Sequence, residues 1–289
     1  MKIAIIGGSG RMGRWFASFL SKEGKEVIIT GRNQKKLQEA KQQLGVAVAT
    51  NVEAVKWADI ILLSVPVDNF EETVKQISPY THPKQIIIDI TSVKVAPVEI
   101  MHRYIEAGLI LGAHPVFGPG AQNMTNQNFV LTPVNQEETH LAQRVKQYLE
   151  LRGATVTLMS PHEHDEMMAV ILGLSHFIAI VSADSLANFG KLREMEAVSS
   201  NTYKVLLTLI GSVISEDPEL YASLQMSFPN LTKIEDLFQR SAKTWADLVK
   251  NKDRHEFARR MTDLKKRLKK GNLDFRKAYE NMYKIVEET

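Results

Sequence analysis

No cysteine occurs in the 289-residue sequence. That absence excludes a disulfide scaffold and thiolate metal sites together, and it fits a reducing, cytoplasmic setting. There is no Pro-, Gly- or Ser-rich tract to form a disordered or low-complexity segment. The net charge is only +3, too small to argue for nucleic acid. The most basic stretch, 250–270, sets ten Lys and Arg against Asp253, Glu256 and Asp263. Without aromatic interleaving or a groove-binding motif it reads as a solvated helix face. The first strand begins at Lys2, so no leader is expected before the fold. One uncharged run, Met167 to Ala183, is near the short end of a membrane span. Gly173, Ser175 and His176 interrupt it, and Glu163, Asp165, Glu166 and Asp184 flank it without a basic anchor, so it reads as a buried helix.

What is present is ordinary globular composition, 44% apolar and 24% charged, in a length that suggests two domains. The first is expected over residues 1–160 and the second over 161–289. "KIAIIG", "EVIIT", "DIILLSVP", "QIIIDIT" and "LILGAHP" are apolar runs bounded by turn residues, as in doubly buried parallel strands. Helical patterns alternate with them, among them Arg11–Lys22 and Gln34–Leu44. "NFVLTP" and "ATVTLMS" follow, with a helix between them over 137–151. The expected fold is α/β: a Rossmann-type, doubly wound, mostly parallel sheet followed by an all-helical domain.

From Pro161 onward the alternating pattern is nearly gone. Ser160, Pro161 and Glu163 form a helix start with Ser as N-cap, so "HEHDE" at 162–166 reads as helix-start chemistry and no metal site is expected. The next helix, Met167 to Asn188, is apolar nearly all round and must be surrounded by other helices or by a second subunit. A homodimer through this region is the economical expectation.

"GGSGRMG" places Gly8, Gly10 and Gly13 in G-x-G-x-x-G spacing between a strand and a helix. In that context Gly8 permits the tight turn, Gly10 lets the backbone approach a pyrophosphate and Gly13 lets helix pack on strand. The loop Gly8, Ser9, Gly10, Arg11, Met12 and Gly13 is therefore expected to hold a dinucleotide. The second strand ends "ITGRNQKK", with no carboxylate for a ribose; Arg32 suits a 2′-phosphate, which favours NADP over NAD. Ser64, Val65, Pro66, Ser92 and Lys94 follow two further strands at their carboxyl ends and are expected to border cofactor or substrate, although Ser92 also suits an N-cap. His114 ends an apolar strand on the same rim. A hydride transfer from a carbinol carbon needs a base there, and Pro115 with the Gly118-Pro119 turn would fix the imidazole.

"GGSGRMG", "DITSVK", "GAHPVFGPG", "EHDEMMAVILGLSHF" and "DPELYASLQM", in this order, resemble the prephenate and arogenate dehydrogenases of tyrosine biosynthesis. The resemblance implies oxidative decarboxylation of a cyclohexadienol small-molecule substrate, with hydride transfer to the nicotinamide and loss of CO2. It assigns proton acceptance from the C4 hydroxyl to His114, assistance to Ser92, and a place in the substrate pocket to His176. One motif departs: where such enzymes commonly carry an arginine for a substrate carboxylate, "LIGSVISEDP" has Ser212. Either Lys204, Arg193 or a basic residue of a partner subunit compensates, or the ligand is not ordinary prephenate. Two alternatives stand beside this reading. One is an NADP-dependent reductase of the β-hydroxyacid, imine or deazaflavin type, and the other a non-catalytic NADP-binding regulatory protein.

Overall fold

The computed structural model describes residues 1–271 and 273–287, which divide into two compact units. Unit 1 comprises Met1–Met168 with Met226–Pro229, and unit 2 comprises Ala169–Gln225 with Asn230 onward.

Unit 1 is built on eight strands: β1 (Lys2–Ile6), β2 (Glu26–Ile29), β3 (Ala47–Val48), β4 (Ile60–Leu63), β5 (Ile86–Asp89), β6 (Leu109–Pro115), β7 (Asn128–Thr132) and β8 (Thr155–Leu158). Their spatial order is 3-2-1-4-5-6-7-8, and every neighbouring pair is parallel except β6 with β7. The first six strands reproduce the order of a dinucleotide-binding sheet, whose crevice lies where connectivity reverses between β1 and β4.

The apolar runs exist because both faces are covered. Ile3 and Ile5 of β1, Leu62 of β4 and Ile88 of β5 enter one core with Phe16, Ala17, Leu20, Leu37, Leu141 and Leu149. These last come from α1 (Arg11–Lys22), α2 (Gln34–Leu44) and α6 (Gln136–Glu150). The alternate residues Ala4, Ile6, Ile61, Leu63 and Ile87 enter a second core with Ala54, Phe70, Val74, Val98 and Met101. That layer is supplied by α3 (Asn51–Trp57), α4 (Phe70–Ile77) and α5 (Val95–Tyr104). Each such fully buried aliphatic side chain contributes roughly 1.5–3 kcal/mol relative to exposure.

Helix boundaries follow local chemistry. Asn33 accepts from the Lys36 amide to start α2, and Gly45 ends it at φ 66°. Ser160 and Glu163 form the expected reciprocal cap, Glu163 N donating to Ser160 Oγ at 3.3 Å and Ser160 N donating to Glu163 Oε2 at 2.9 Å. They open α7 (Pro161–Met168), which belongs to unit 1.

Among the described residues the regular elements of unit 2 are all helices: α8 (Ser175–Phe189), α9 (Leu192–Ala197), α10 (Asn201–Ile214), α11 (Pro218–Ser227, whose last two residues fall in unit 1), α12 (Leu231–Lys250), α13 (Arg254–Lys270) and α14 (Phe275–Glu287). The helix expected from Met167 to Asn188 is not one regular element. A π-helical segment, Ala169–Leu174, precedes α8. A side chain at Gly173 would lie 2.6 Å from Leu231 Cδ1, and the Gly173 carbonyl accepts from Gln225 Nε2 at 3.1 Å, so the widened turn is packed and bonded. The expectation that this helix is surrounded also fails within one chain: in α8 only Ala179 is buried, while Val181 and Phe189 are exposed. The run 161–189 has the length and hydropathy of a membrane span by composition alone. In α13, Glu256 engages Arg259 and Arg260 on an exposed face.

Candidate active site

The glycine loop is shaped by close approach, but its roles divide differently from the sequence expectation. The positive φ, 83°, falls at Gly7 and not at Gly8. A Cβ at Gly7 would meet the Ser64 carbonyl oxygen at 2.2 Å, so only glycine lets the end of β1 pass the residue after β4. Gly8 instead lies against Ile29, and Gly13 lies 2.6 Å in the same sense from the Gly8 backbone. At Gly10 an added Cβ would meet only the Gly7 carbonyl oxygen, at 3.3 Å. Gly10 caps α1 without any side-chain hydrogen bond, so among the described residues no side-chain oxygen covers the first-turn amides of Met12 and Gly13. An exposed, uncapped helix N-terminus beside an unfilled glycine cradle fits the pyrophosphate of a dinucleotide.

Around the loop, Ser64 donates its amide to the Ile6 carbonyl at 2.8 Å, and Val65 and Pro66 continue the turn after β4. Ser9 and Arg11 stand at the start of α1, with Ser9 Oγ facing the Gly31 Cα. Thr30, at the end of β2, is buried and donates its hydroxyl to Asn51 Oδ1 at 2.6 Å. Arg32 beyond it is exposed, with no hydrogen bond or ion pair among the described residues.

His114 lies in β6, two residues past Gly112, which pairs with the last residue of β5. It therefore stands at the carboxyl-end rim that the glycine loop also occupies. The ring is only 3% exposed, and its Nδ1 lies 2.8 Å from Nε2 of His164. His164 in turn brings its Nδ1 to 2.7 Å from Asp165 Oδ1. Burial first, then the neighbouring His164 and Lys94, hold His114 well below the ordinary imidazole pKa, so at neutral pH it is uncharged and able to accept a proton. His164 is also held down, chiefly by burial and against the pull of Asp165.

Two expectations are corrected here. Lys94 does not border a ligand. It is fully buried, paired with Asp89, and it donates to the Ala113 carbonyl at 2.7 Å, tying β5 to the strand that carries His114. Nor is Ser92 an N-cap: α5 is capped by Asp165, whose Oδ1 and Oδ2 accept from the amides of Lys94 at 2.7 Å and Val95 at 2.9 Å. Ser92 remains half-buried in the loop after β5, with no hydrogen bond among the described residues.

The Phe-Gly-Pro-Gly turn after His114 is anchored by packing. Phe117 stacks edge-on to Trp15 at 5.0 Å and to Phe129 at 5.3 Å, and Trp15 Nε1 donates to the Ala121 carbonyl at 2.6 Å. The helix of the glycine loop thus holds the turn that follows His114.

In unit 2, His176 sits in the first turn of α8, edge-on to Tyr221 at 4.7 Å; burial lowers its pKa, and its Nδ1 has no hydrogen-bond partner among the described residues. Lys204 and Ser212 are both exposed on α10. Eight residues of helix separate them by about 12 Å, and the structure does not bring them to one point. Ser212 Oγ donates to its own helix, to the Leu209 carbonyl at 2.8 Å.

Comparison with known proteins follows this division. Residues 16–158 match the prephenate dehydrogenase nucleotide-binding domain and residues 160–263 the prephenate dehydrogenase dimerization domain. A probable arogenate/prephenate dehydrogenase of Methanocaldococcus jannaschii is 33% identical over 270 residues, covering 92% of this chain and 60% of the relative. The T-protein of Haemophilus influenzae is 31% identical over 240 residues, 82% of this chain and 59% of the relative. The chain thus spans about 60% of the length of these relatives. The fold is shared with prephenate dehydrogenase from A. aeolicus, solved in complex with hydroxyphenyl propionate and NAD+, at TM-score 0.77 and 22% identity, over 95% of this chain and 99% of that one. With both of its domains matched in order, the chain belongs to the prephenate/arogenate dehydrogenase family.

Proposed function

We propose that the protein is a dehydrogenase that oxidatively decarboxylates prephenate or arogenate, giving 4-hydroxyphenylpyruvate or tyrosine. The observation that carries this reading is His114: a neutral, buried imidazole on the cofactor rim whose Nδ1 is engaged by His164, leaving Nε2 to face a reacting hydroxyl. With a dinucleotide held by its pyrophosphate at the glycine loop, its nicotinamide would supply the hydride acceptor for C4 of the substrate. His114 Nε2 takes the proton of the C4 hydroxyl as the carbonyl character develops there. The ring carboxylate departs as CO2, its bonding electrons complete the aromatic ring, and the proton held on His114 Nε2 returns to the C4 oxygen to give the phenol. Ser92, its hydroxyl uncommitted among the described residues, assists at the same rim, and the family resemblance supports a substrate-binding role for His176.

The cofactor preference follows from β2. Thr30 is turned inward to Asn51 and no carboxylate follows it, whereas Arg32 is exposed and unpaired, which supports NADP over NAD. The exposed apolar side chains of the π-helical segment and α8, among them Ile171, Val181 and Phe189, support a homodimer formed through unit 2. With Ser212 hydrogen-bonded to its own helix, the substrate carboxylate needs a cation from elsewhere, Lys204, Arg193 or the partner subunit. The cysteine-free composition supports a cytoplasmic setting. Incubation of the purified protein with each substrate and each cofactor, followed by nicotinamide absorbance, tests this function; reduction with NADP and at least one substrate is the expected result.

A further inference from the structure

His164 and Asp165 lie in unit 1 beside the proposed base, yet neither faces the glycine loop's amides. We propose that they are positioning residues that hold His114 as the Nδ1–H tautomer, so that the Nε2 lone pair is always the one presented to the substrate hydroxyl. The inference rests on the reading of His114 as the base.

The chain of donors is fixed from one end. The Asp165 carboxylate already accepts two backbone amides, from Lys94 and Val95, at the start of α5. Having accepted these, it serves as acceptor for the His164 ring 2.7 Å away, so His164 Nδ1 carries the hydrogen. In a neutral imidazole the other nitrogen is then bare. His164 Nε2 is that nitrogen, and it lies 2.8 Å from His114 Nδ1, which must donate. His114 Nε2 is left with its lone pair. The two amides at the start of α5 fix the far end of this chain by holding the Asp165 carboxylate in place.

Charged groups pack on both sides of the pair, and Lys94, after burial and His164, keeps His114 neutral before the proton arrives. Lys94 lies on the His114 side, bonded to Asp89, Thr91 and the Ala113 carbonyl, while Asp165 lies on the His164 side. When His114 Nε2 accepts the hydroxyl proton, the Nδ1–H···Nε2 bond keeps the ring in place, and the Asp165 carboxylate at the end of the chain fixes the orientation of His164. Nothing leaves the three-residue chain, and its proton count rises by the single proton taken from substrate.

The test uses the full chain labelled with 15N-histidine, as wild type, His164→Gln and His164→Leu. Glutamine can place Oε1 as an acceptor for His114 Nδ1–H; leucine fills the space and accepts nothing. Long-range 1H–15N spectra of the ligand-free protein are expected to show His114 and His164 both as Nδ1–H tautomers in wild type, His114 unchanged in His164→Gln, and His114 shifted toward Nε2–H in His164→Leu. Turnover is expected to fall about tenfold to a hundredfold in His164→Leu, with the cofactor KM unchanged, and to recover to within about threefold of wild type in His164→Gln. An Nε2–H His164 in wild type, or His164→Leu with wild-type turnover and an unchanged His114 tautomer, overturns the proposal. Because the spectra need no substrate, they decide it even if neither cyclohexadienol is turned over, and that second result bears only on the function.

Discussion

Trp15, on the helix that opens at the glycine loop, donates its indole N–H to the carbonyl of Ala121, 106 residues later, and packs on Phe117 at 5.0 Å. The turn beyond His114 is therefore fastened to the cofactor loop's own helix. Loosening it should disturb the distance between base and cofactor. Phe117→Ala is expected to cost about 2–3 kcal/mol of stability, since the ring is half-buried, and Trp15→Phe about 1 kcal/mol for the lost hydrogen bond. Chemical denaturation measures both, and kcat should fall further in Phe117→Ala than in Trp15→Phe.

The glycine loop separates folding from binding. Gly7→Ala forces a side chain into the Ser64 backbone at a positive φ and is expected to destabilise strongly or abolish folding. Gly10→Ala meets one backbone oxygen, the Gly7 carbonyl, tightly at 3.3 Å and at an ordinary negative φ, so melting temperature should fall far less than in Gly7→Ala. Its methyl group stands where a pyrophosphate would approach. Calorimetric affinity for NADP is expected to drop about tenfold or more, roughly 1.4 kcal/mol.

Arg32 gives the cofactor prediction. Arg32→Ser should raise KM for NADP about tenfold and leave that for NAD nearly unchanged, because the side chain is exposed and supports nothing else in unit 1. Equal effects on both cofactors would remove the 2′-phosphate role.

Stability should depend on pH through three histidines. Burial holds His114, His164 and His176 below the ordinary value of 6.5. The unfolded chain takes up protons near that pH which the native state refuses, so stability is present above it and declines as pH falls through and below it. Melting curves between about pH 7.5 and pH 5.5 check the sign. A melting temperature that rises on acidification in that interval contradicts it.

Much of unit 1 was legible in the sequence because local chemistry and burial agree there. Arg11–Lys22 and Gln34–Leu44 match their helices, since a glycine loop, Asn33 and Gly45 set their ends. Ile3 to Ile6 read as a doubly buried strand and alternate between two cores. The polar interior was not legible. Lys94 reads as a residue bordering cofactor or substrate because nothing in its neighbourhood announces that Asp89, five residues earlier, is buried with it. His164 and Asp165 were read with the acids of a helix start, and Glu163 does serve there. A signal did exist: Pro161, His164, Asp165 and Met168 fall at i, i+3, i+4 and i+7, the buried face of α7, and a polar pair on such a face demands partners. Those partners, His114 and the start of α5, are brought in only by the sheet, 50 to 71 residues away in sequence.

The role of His114 is tested most directly by initial rates of nicotinamide reduction with prephenate and with arogenate, comparing wild type with His114→Asn at matched folding. The account predicts reduction by the wild type and a loss of about a hundredfold or more in kcat for the variant, with cofactor affinity retained. No reduction by the wild type with either substrate and either cofactor, or an unchanged rate in the variant, would contradict it.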